Sequence, residues 1–436
     1  MNHKLQEKNT LYVPDFVDSW DEQSLYPLAD WVNGMAFKDF NFTPKGKPVI
    51  KIAEIKNGIS SQTKFTDGQY NEVYLLNKGD MLFCWSGQPQ TSIDIFWWDG
   101  PEGWLNQHIF KVIPKTENKI FFYYLLKYLK PNFVQIAINK QTTGLGHVTK
   151  GDLERFIVKL PSPNEQREIG AVMASLDNKI DLLQEQNKTL EVTAQKIFKE
   201  WFVNFNFPGG TGKMIDSEMN KIPDGWKVGK LGEVIEFING YAFKSSDLLE
   251  QEVEDCYKVF KMGNIKKGGG FDFFKTKSFI KKNQFKNIDK YILKKGDILM
   301  SMTDMKDAIS LLGHTALMIY DNEYIVNQRV GLIRPLNDLN IDYPFLYLLT
   351  NNEDFISNLR SRANSGVQVN LSTDSIKNCK FVIADRKTNN NFNELVKPLF
   401  NKMEINEYQI QTLSSIRDIL LPKLMKGEIR IRDFNN

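Results

Sequence analysis

The sequence predicts an α+β protein: two similar globular α/β domains separated by two long helices forming an antiparallel coiled coil, with a pseudo-two-fold internal repeat. Two observations carry this prediction. Two stretches show apolar residues in a seven-residue rhythm, and short motifs of the first half return in the same order in the second. At 436 residues the chain has room for two to three domains.

The first rhythm lies between Glu165 and Phe202. Ile169, Leu176, Leu183, Leu190 and Ile197 recur every seven residues, and Met173, Ile180, Asn187, Ala194 and Trp201 share the period at an offset of four. This alternation puts one narrow apolar seam on a helix. About 35 residues at 1.5 Å each make a rod roughly 50 Å long, which needs a partner. Near the C-terminus Val396, Met403, Ile410 and Leu424 form a second series, with Arg417 in its missing place, and Leu399, Asn406, Leu413 and Leu420 accompany it. Asn187 and Asn406 each put a polar group into its seam, a device that fixes register at some cost in stability. Packing of each helix on its own domain is the alternative. Pairing within the chain is favoured because the stripes end two similar halves.

In chain order, residues 1–23 read as an arm and 24–160 as a first domain of mixed strand and helix. Candidate strands are Val49–Ala53, Met81–Cys84 and Ile109–Ile113; Lys119–Leu129 reads as helix, with Pro131 after it. A helical region follows over 161–208. Pro208-Gly209-Gly210 breaks it, and a polar linker spans 209–225. Residues 226–385 then replay the first domain, and 386–436 form the second helical region. Asn33-Gly-Met-Ala-Phe-Lys38 returns as Asn239-Gly-Tyr-Ala-Phe-Lys244, and Lys51-Ile-Ala-Glu-Ile-Lys-Asn-Gly58 as Lys261-Met-Gly-Asn-Ile-Lys-Lys-Gly268. Lys78-Gly-Asp-Met-Leu82 returns as Lys295-Gly-Asp-Ile-Leu299, Leu105-Asn-Gln107 as Val326-Asn-Gln328, and Thr143-Gly144 with Asp152 as Ser365-Gly366 with Asp374. The offset grows from 206 residues (Asn33 to Asn239) to 223 (Leu190 to Leu413), so loops lengthen while order holds. This is an internal duplication.

Composition narrows the function classes. Hydrophobic content of 42% and charged content of 25% are ordinary for a globular protein. Met1 to Phe16 lacks the pattern of a signal peptide, and the longest apolar runs, such as Ile120–Leu126, are too short to span a bilayer. Cys84, Cys256 and Cys379 lie far apart without a CxxC, so neither a disulfide framework nor a zinc site is indicated. A cytoplasmic protein is expected. The net charge of +3 does not announce a nucleic-acid binder, but Lys261 to Lys295 holds eleven lysines against Asp272 and Asp289, with Phe271, Phe273, Phe274 and Phe279 interleaved. Such a segment suits a phosphate backbone, or else is a solvated face over core phenylalanines.

Catalytic signatures are missing. Gly212-Lys213 is followed by Met214 and lacks the first glycine of a phosphate loop; no GxGxxG follows a strand, and no Pro-Pro pair supplies an adenine-methyltransferase motif. Glu54-x-Lys56 and Glu117-x-Lys119 are triplets that arise by chance in a chain rich in both residues. A non-catalytic binding protein is the reading. Two similar faces at a fixed separation suit duplex DNA, whose helical turn is roughly 34–36 Å.

Several motifs carry a family resemblance: the repeated Asn-Gly-x-Ala-Phe-Lys, Lys295-Gly-Asp-Ile-Leu-Met-Ser-Met302, Val326-Asn-Gln-Arg-Val-Gly-Leu-Ile-Arg-Pro335, Leu160-Pro-Ser-Pro-Asn-Glu-Gln-Arg167, Ile197-Phe-Lys-Glu-Trp-Phe-Val-Asn-Phe205 and Leu420-Leu-Pro-Lys-Leu-Met-Lys-Gly-Glu-Ile429. With these the chain resembles the specificity subunit of type I restriction–modification systems over nearly all its length beyond residue 25. The resemblance implies two target recognition domains, each reading half of a bipartite DNA sequence, and helical regions that set spacing and dock two adenine-N6 methyltransferase subunits. It also implies a restriction/translocase partner. S-adenosylmethionine, ATP and Mg are expected on those partners, with no cofactor in this chain. The second half departs from the pattern, carrying Val382-Ile-Ala-Asp-Arg where Pro-x-Pro-x-Glu-Gln would stand. A coiled-coil scaffold without DNA specificity is the competing reading, and a nuclease or methyltransferase acting alone a third.

Lys38, Lys56, Lys244, Lys266 and Lys267 are candidates to hold phosphates, which fix position without reading sequence. The glycines before Lys38 and Lys244 otherwise serve only a tight turn, and the lysines are otherwise solvated. Base contacts are expected in the loops that differ: Gln141, Thr142, Thr143 and His147 in the first domain, Arg360, Arg362, Ser365 and Gln368 in the second, with an ordinary surface loop as the alternative. Gln107 with His108, and Gln328 with Arg329, can reach base edges. Their repetition in both halves argues for a structural role. Trp85, Trp97 and Trp98 are read as core.

Overall fold

The computed structural model describes residues 11–12, 20–141, 144–305, 309–336, 339–365 and 368–431, without the side chains of 11, 12, 365 and 368. It divides into two compact units, Met1–Leu182 with Gln409–Asn436, and Leu183–Tyr408.

In the first unit an antiparallel sheet runs in the order Ala29–Asn33, Ile109–Pro114, Met81–Cys84, Asp94–Trp97. Alternation across the pleat divides its central strand between two cores. Met81 and Phe83 face the cluster around Phe121, Phe122, Leu125 and Phe133, while Leu82 and Cys84 face Ile50, Leu76 and Leu105. A second sheet orders Phe65–Thr66, Lys47–Ile50, Gly103–Leu105 and Leu75–Leu76, with Trp104 parallel to Val49. The expected helix at Lys119–Leu129 runs on to Asn139, straight through Pro131. Proline removes one backbone donor there, but Leu129, Phe133, Ile136 and Ala137 on both sides of it are buried, and that apolar face holds the helix together.

The second unit repeats this plan. Its antiparallel sheet orders Ile235–Asn239, Val330–Pro335, Ile298–Ser301 and Thr315–Leu317, and its second sheet pairs Val259 parallel to Ile325. Asn33 lies opposite Phe110 and Asn239 opposite Gly331, so the register is repeated as well.

Two borders differ from the expectation. The arm ends inside the first domain: Trp20 is buried, and Asp21–Ser24 pairs antiparallel with Phe156–Leu160. The linker 209–225 contains a hairpin of Met214–Ser217 and Asn220–Pro223.

The long helices are Pro163–Phe202 and Arg386–Lys426. They pair antiparallel within each unit. In the first, Arg417 binds Asp177 at 3.0 Å and Arg430 pairs with Glu165. The charged residue in the second stripe thus has a carboxylate waiting for it. In the second unit, Asn406 Nδ2 donates to Asn187 Oδ1 and Gln186 Oε1, both at 2.8 Å, and Asn187 Nδ2 donates to the Met403 carbonyl at 3.3 Å. The two seam asparagines therefore do meet.

The predicted core needs correction. Ile169, Met173, Ile180, Leu183, Ile410 and Asn406 are buried, but Leu176, Asn187, Leu190, Ile197, Met403, Leu413 and Leu420 are only half-buried. Beyond Asn187 the stripe positions Ala194 and Trp201 are buried as expected, and Phe198 and Phe202 are buried beside them, with Ile197 packed half-buried against the same core. A straight helix drifts against a strict seven-residue repeat. Here the drift turns aromatic rings toward Phe345 and Phe392. Among the described residues no helix is long and apolar enough to cross a membrane.

Candidate nucleic-acid interface

The repeated motifs build one frame in each domain. In the first, Gly34 N–H donates to Ile109 O, Met35 N–H to Leu105 O, and Gln107 N–H to Met35 O; in the second, Gly240, Tyr241 and Gln328 donate likewise to Val330, Val326 and Tyr241. A Cβ on Gly34 or Gly240 would lie 2.0 Å from the carbonyl oxygen of Asn106 or Asn327, so only glycine allows this approach. The Lys-Gly-Asp motifs are structural too. Asp80 pairs with Lys111 and Asp297 with Arg334, each at 2.8 Å, and each cation also donates to a turn carbonyl, Leu75 O or Ile292 O. The repeat is not uniform. Asp152 is buried beneath Lys140 and Arg155, whereas Asp374 is exposed.

Beside each frame the chain turns through a left-handed residue, His108 (φ 75°) or Arg329 (φ 70°). Trp85 N–H donates to His108 O and Val148 N–H to Trp85 O; Met302 N–H donates to Arg329 O and Leu371 N–H to Met302 O. These bonds bring the polar loops selected from sequence up against this corner. Gln141 is exposed, and His147 pairs with Ser86 in a short two-stranded ladder. Thr142 and Thr143 lie outside the described residues, as do the Ser365 and Gln368 side chains, although both backbones join the ladder of Asn364–Ser365, Gln368–Asn370 and Thr303–Met305. Trp85 is half-buried, stacks on Phe110 and donates to Asn33 Oδ1 at 3.0 Å. Trp98 is core, while Trp97, 37% exposed, stacks on Tyr123.

The candidate cations separate into two groups. Lys38, Lys244, Lys266 and Lys267 are exposed. Lys56, also exposed, spends its ammonium on the Thr91 carbonyl. Arg360 donates to Leu312 O (2.9 Å) and Ser310 O (3.4 Å), and burial pushes its pKa down. Arg362 donates to Asn358 Oδ1 and Asn378 O. Both arginines hold their own loops together, which sequence could not reveal because three of the four acceptors are backbone carbonyls 16 to 50 residues away. The lysine-rich segment is also less positive than its count: Lys275, Lys282 and Lys295 pair with Asp272, Asp255 and Glu404. Phe271 and Phe279 pack into cores, leaving Phe274 57% exposed. Among the described residues no group of three His, Cys, Asp or Glu is placed to hold a metal. Cys84, buried, has its thiol pKa raised to about 12.

Comparison with known proteins agrees with this doubled plan. The family model "Type I restriction modification DNA specificity domain" matches residues 18–192 and again 223–415. The type I restriction enzyme MjaVIII specificity subunit of Methanocaldococcus jannaschii is 27% identical over 395 residues, covering 89% of this chain and 87% of the relative. The HindI specificity subunit of Haemophilus influenzae is 22% identical over 479 residues, covering 95% of this chain and all of the relative. The crystal structure of an S subunit from M. genitalium superposes with a TM-score of 0.55 at 16% identity, covering 94% of this chain and 97% of that one, and so shares the fold. With both of its domains matched, the chain belongs to the type I restriction–modification DNA specificity family.

Proposed function

We propose that this chain is the sequence-reading, non-catalytic subunit of a type I restriction–modification complex. Each domain binds one half of a split DNA target, and the two long helices set the gap and dock two adenine-N6 methyltransferase subunits. A restriction/translocase subunit completes the assembly. S-adenosylmethionine, ATP and Mg²⁺ act on those partners, in the prokaryotic cytoplasm. The observation that carries this reading is the frame built twice, with identical backbone bonding and unlike side chains at its edge. Equal frames give equal docking on two-fold-related DNA, and unlike side chains give unlike half-sites.

The test is to co-express the chain with its cognate methyltransferase and map N6-methyladenine in the host DNA. Two unlike half-sites around a fixed gap are expected. Absence of methylation in an assembled complex whose methyltransferase is active returns the chain to the scaffold reading. Inserting four residues, about one helical turn, near Thr189 should change the gap and leave both half-sites as they were. Altered bases would refute the spacing role.

A further inference from the structure

Arg329 differs from the other arginines near the frame of the second domain, Arg334, Arg360 and Arg362, whose guanidinium groups are all engaged. It is exposed, and among the described residues no hydrogen bond or ion pair engages its guanidinium. Its backbone is nevertheless held on both sides: Gln328 N–H donates to Tyr241 O at 2.8 Å, and Arg329 O accepts from Met302 N–H at 3.0 Å. Its φ of 70° is one that side chains other than Asn, Asp and Gly rarely adopt. His108 occupies the same position in the first domain, with the same left-handed backbone, the same bond from Trp85, and an exposed ring packed on that tryptophan at 5.4 Å.

We propose that Arg329 is a base-reading residue of the second domain, forking onto O6 and N7 of a guanine in the major groove, and that His108 is its counterpart in the first. This inference rests on the specificity-subunit reading. It also revises the sequence expectation, because the repeat ends at Gln107 and Gln328 and the next residue differs. Three features favour a base over a phosphate. Bidentate recognition needs a fork whose root is held still, and this Cα is locked between sheet bonds. Flexible phosphate ligands are already present in the exposed Lys244, Lys266 and Lys267. Finally, one position carries two different donors, as unlike half-sites require.

The experiment compares methylation motifs written by complexes containing wild type, Arg329→Lys, Arg329→Gly or His108→Gly. Glycine suits the left-handed backbone, so both glycine variants keep the fold. Both Arg329 variants should lose discrimination at one guanine of one half-site, by about 5- to 150-fold, with the other half-site intact. His108→Gly should relax the opposite half-site. Unchanged motifs overturn the proposal. So does uniformly weaker binding with a shallower salt dependence, the mark of a phosphate contact. A wild-type complex writing no split motif overturns the specificity reading itself, and this inference with it.

Discussion

Each domain docks on the helix pair of its own unit, and the two junctions use opposite chemistry. In the first, Tyr124 Oη donates to Asp177 at 2.7 Å, Arg417 holds the other oxygen of that carboxylate, and a cleft of about 790 Å³ lies among Lys127, Lys130, Asp181 and Asp418. In the second, Phe198, Phe202, Phe345 and Phe392 meet with ring centroids 4.8–6.2 Å apart, and Tyr347 packs on Phe400 while donating to Glu191 at 2.7 Å. One plan therefore tolerates two kinds of joint. A wet polar joint draws on charge pairing that water and salt weaken, whereas an aromatic one draws on buried area.

The difference predicts how each joint breaks. The largest effect is expected for Phe392→Ala, which removes a fully buried ring from the aromatic cluster. About 3–5 kcal/mol of stability should be lost, seen as a lower midpoint in denaturant unfolding of the second unit's signal. A loss under about 1 kcal/mol would mean the cluster collapses around the gap.

Asn406→Ala should cost about 1–3 kcal/mol, because Asn187 and Gln186 lose their partner inside the seam. Replacing Asn187 and Asn406 together by Leu should restore or raise stability, since no unpaired amide is left. Thermal unfolding of the three variants checks both statements.

Acid acts on the two joints in opposite senses. Burial raises the pKa of Glu407 at the second joint, so its ionised form is the poorer one in the folded chain. Its contribution is intact below the unfolded glutamate value of about 4.3 and is lost as pH rises through the folded value. Glu407→Gln should therefore raise stability at neutral pH and flatten the profile above pH 5. Asp94 is the reverse case. Burial raises its pKa, but Lys127 and Lys130 outweigh it and hold the carboxyl below the usual range. That stabilisation is present above the unfolded value of about 3.9 and lost as pH falls through the folded one. Asp94→Asn should remove this acid-side loss. Unfolding midpoints between pH 3 and 8 test both signs.

The smallest effect belongs to Asp177→Asn. The ion pair is partly exposed, and Arg417 also reaches Asp418, so the loss should be within about 1 kcal/mol and vanish in high salt. A large, salt-independent loss would mean this joint is held as firmly as the other.

Much of this architecture is legible in the sequence because it rests on local periodicity. A strand that alternates and a helix that repeats every seven residues announce their faces wherever they pack, so the two domains, both long helices and the seam positions of Asn187 and Asn406 follow from spacing, while the bond between those asparagines is decided by the fold. The exact seam does not. Phe198 is buried more deeply than Ile197 because the second domain presents Phe345 and Phe392 there, and no local pattern encodes that demand. Pro131 likewise sits inside a helix because burial around it outweighs a local preference.

What the sequence by itself determined is the doubled plan: which motifs recur and in what order. What only the tertiary structure decided is which polar groups are free at the edge of each frame. Arg360 and Arg362 look available in a loop, yet they are consumed by Leu312 O, Ser310 O, Asn358 and Asn378, while Arg329 is left exposed on a locked backbone. The reason is physical. Backbone periodicity is set by near neighbours along the chain, but a hydrogen-bond partner is set by whatever the fold brings within 3 Å, often dozens of residues away.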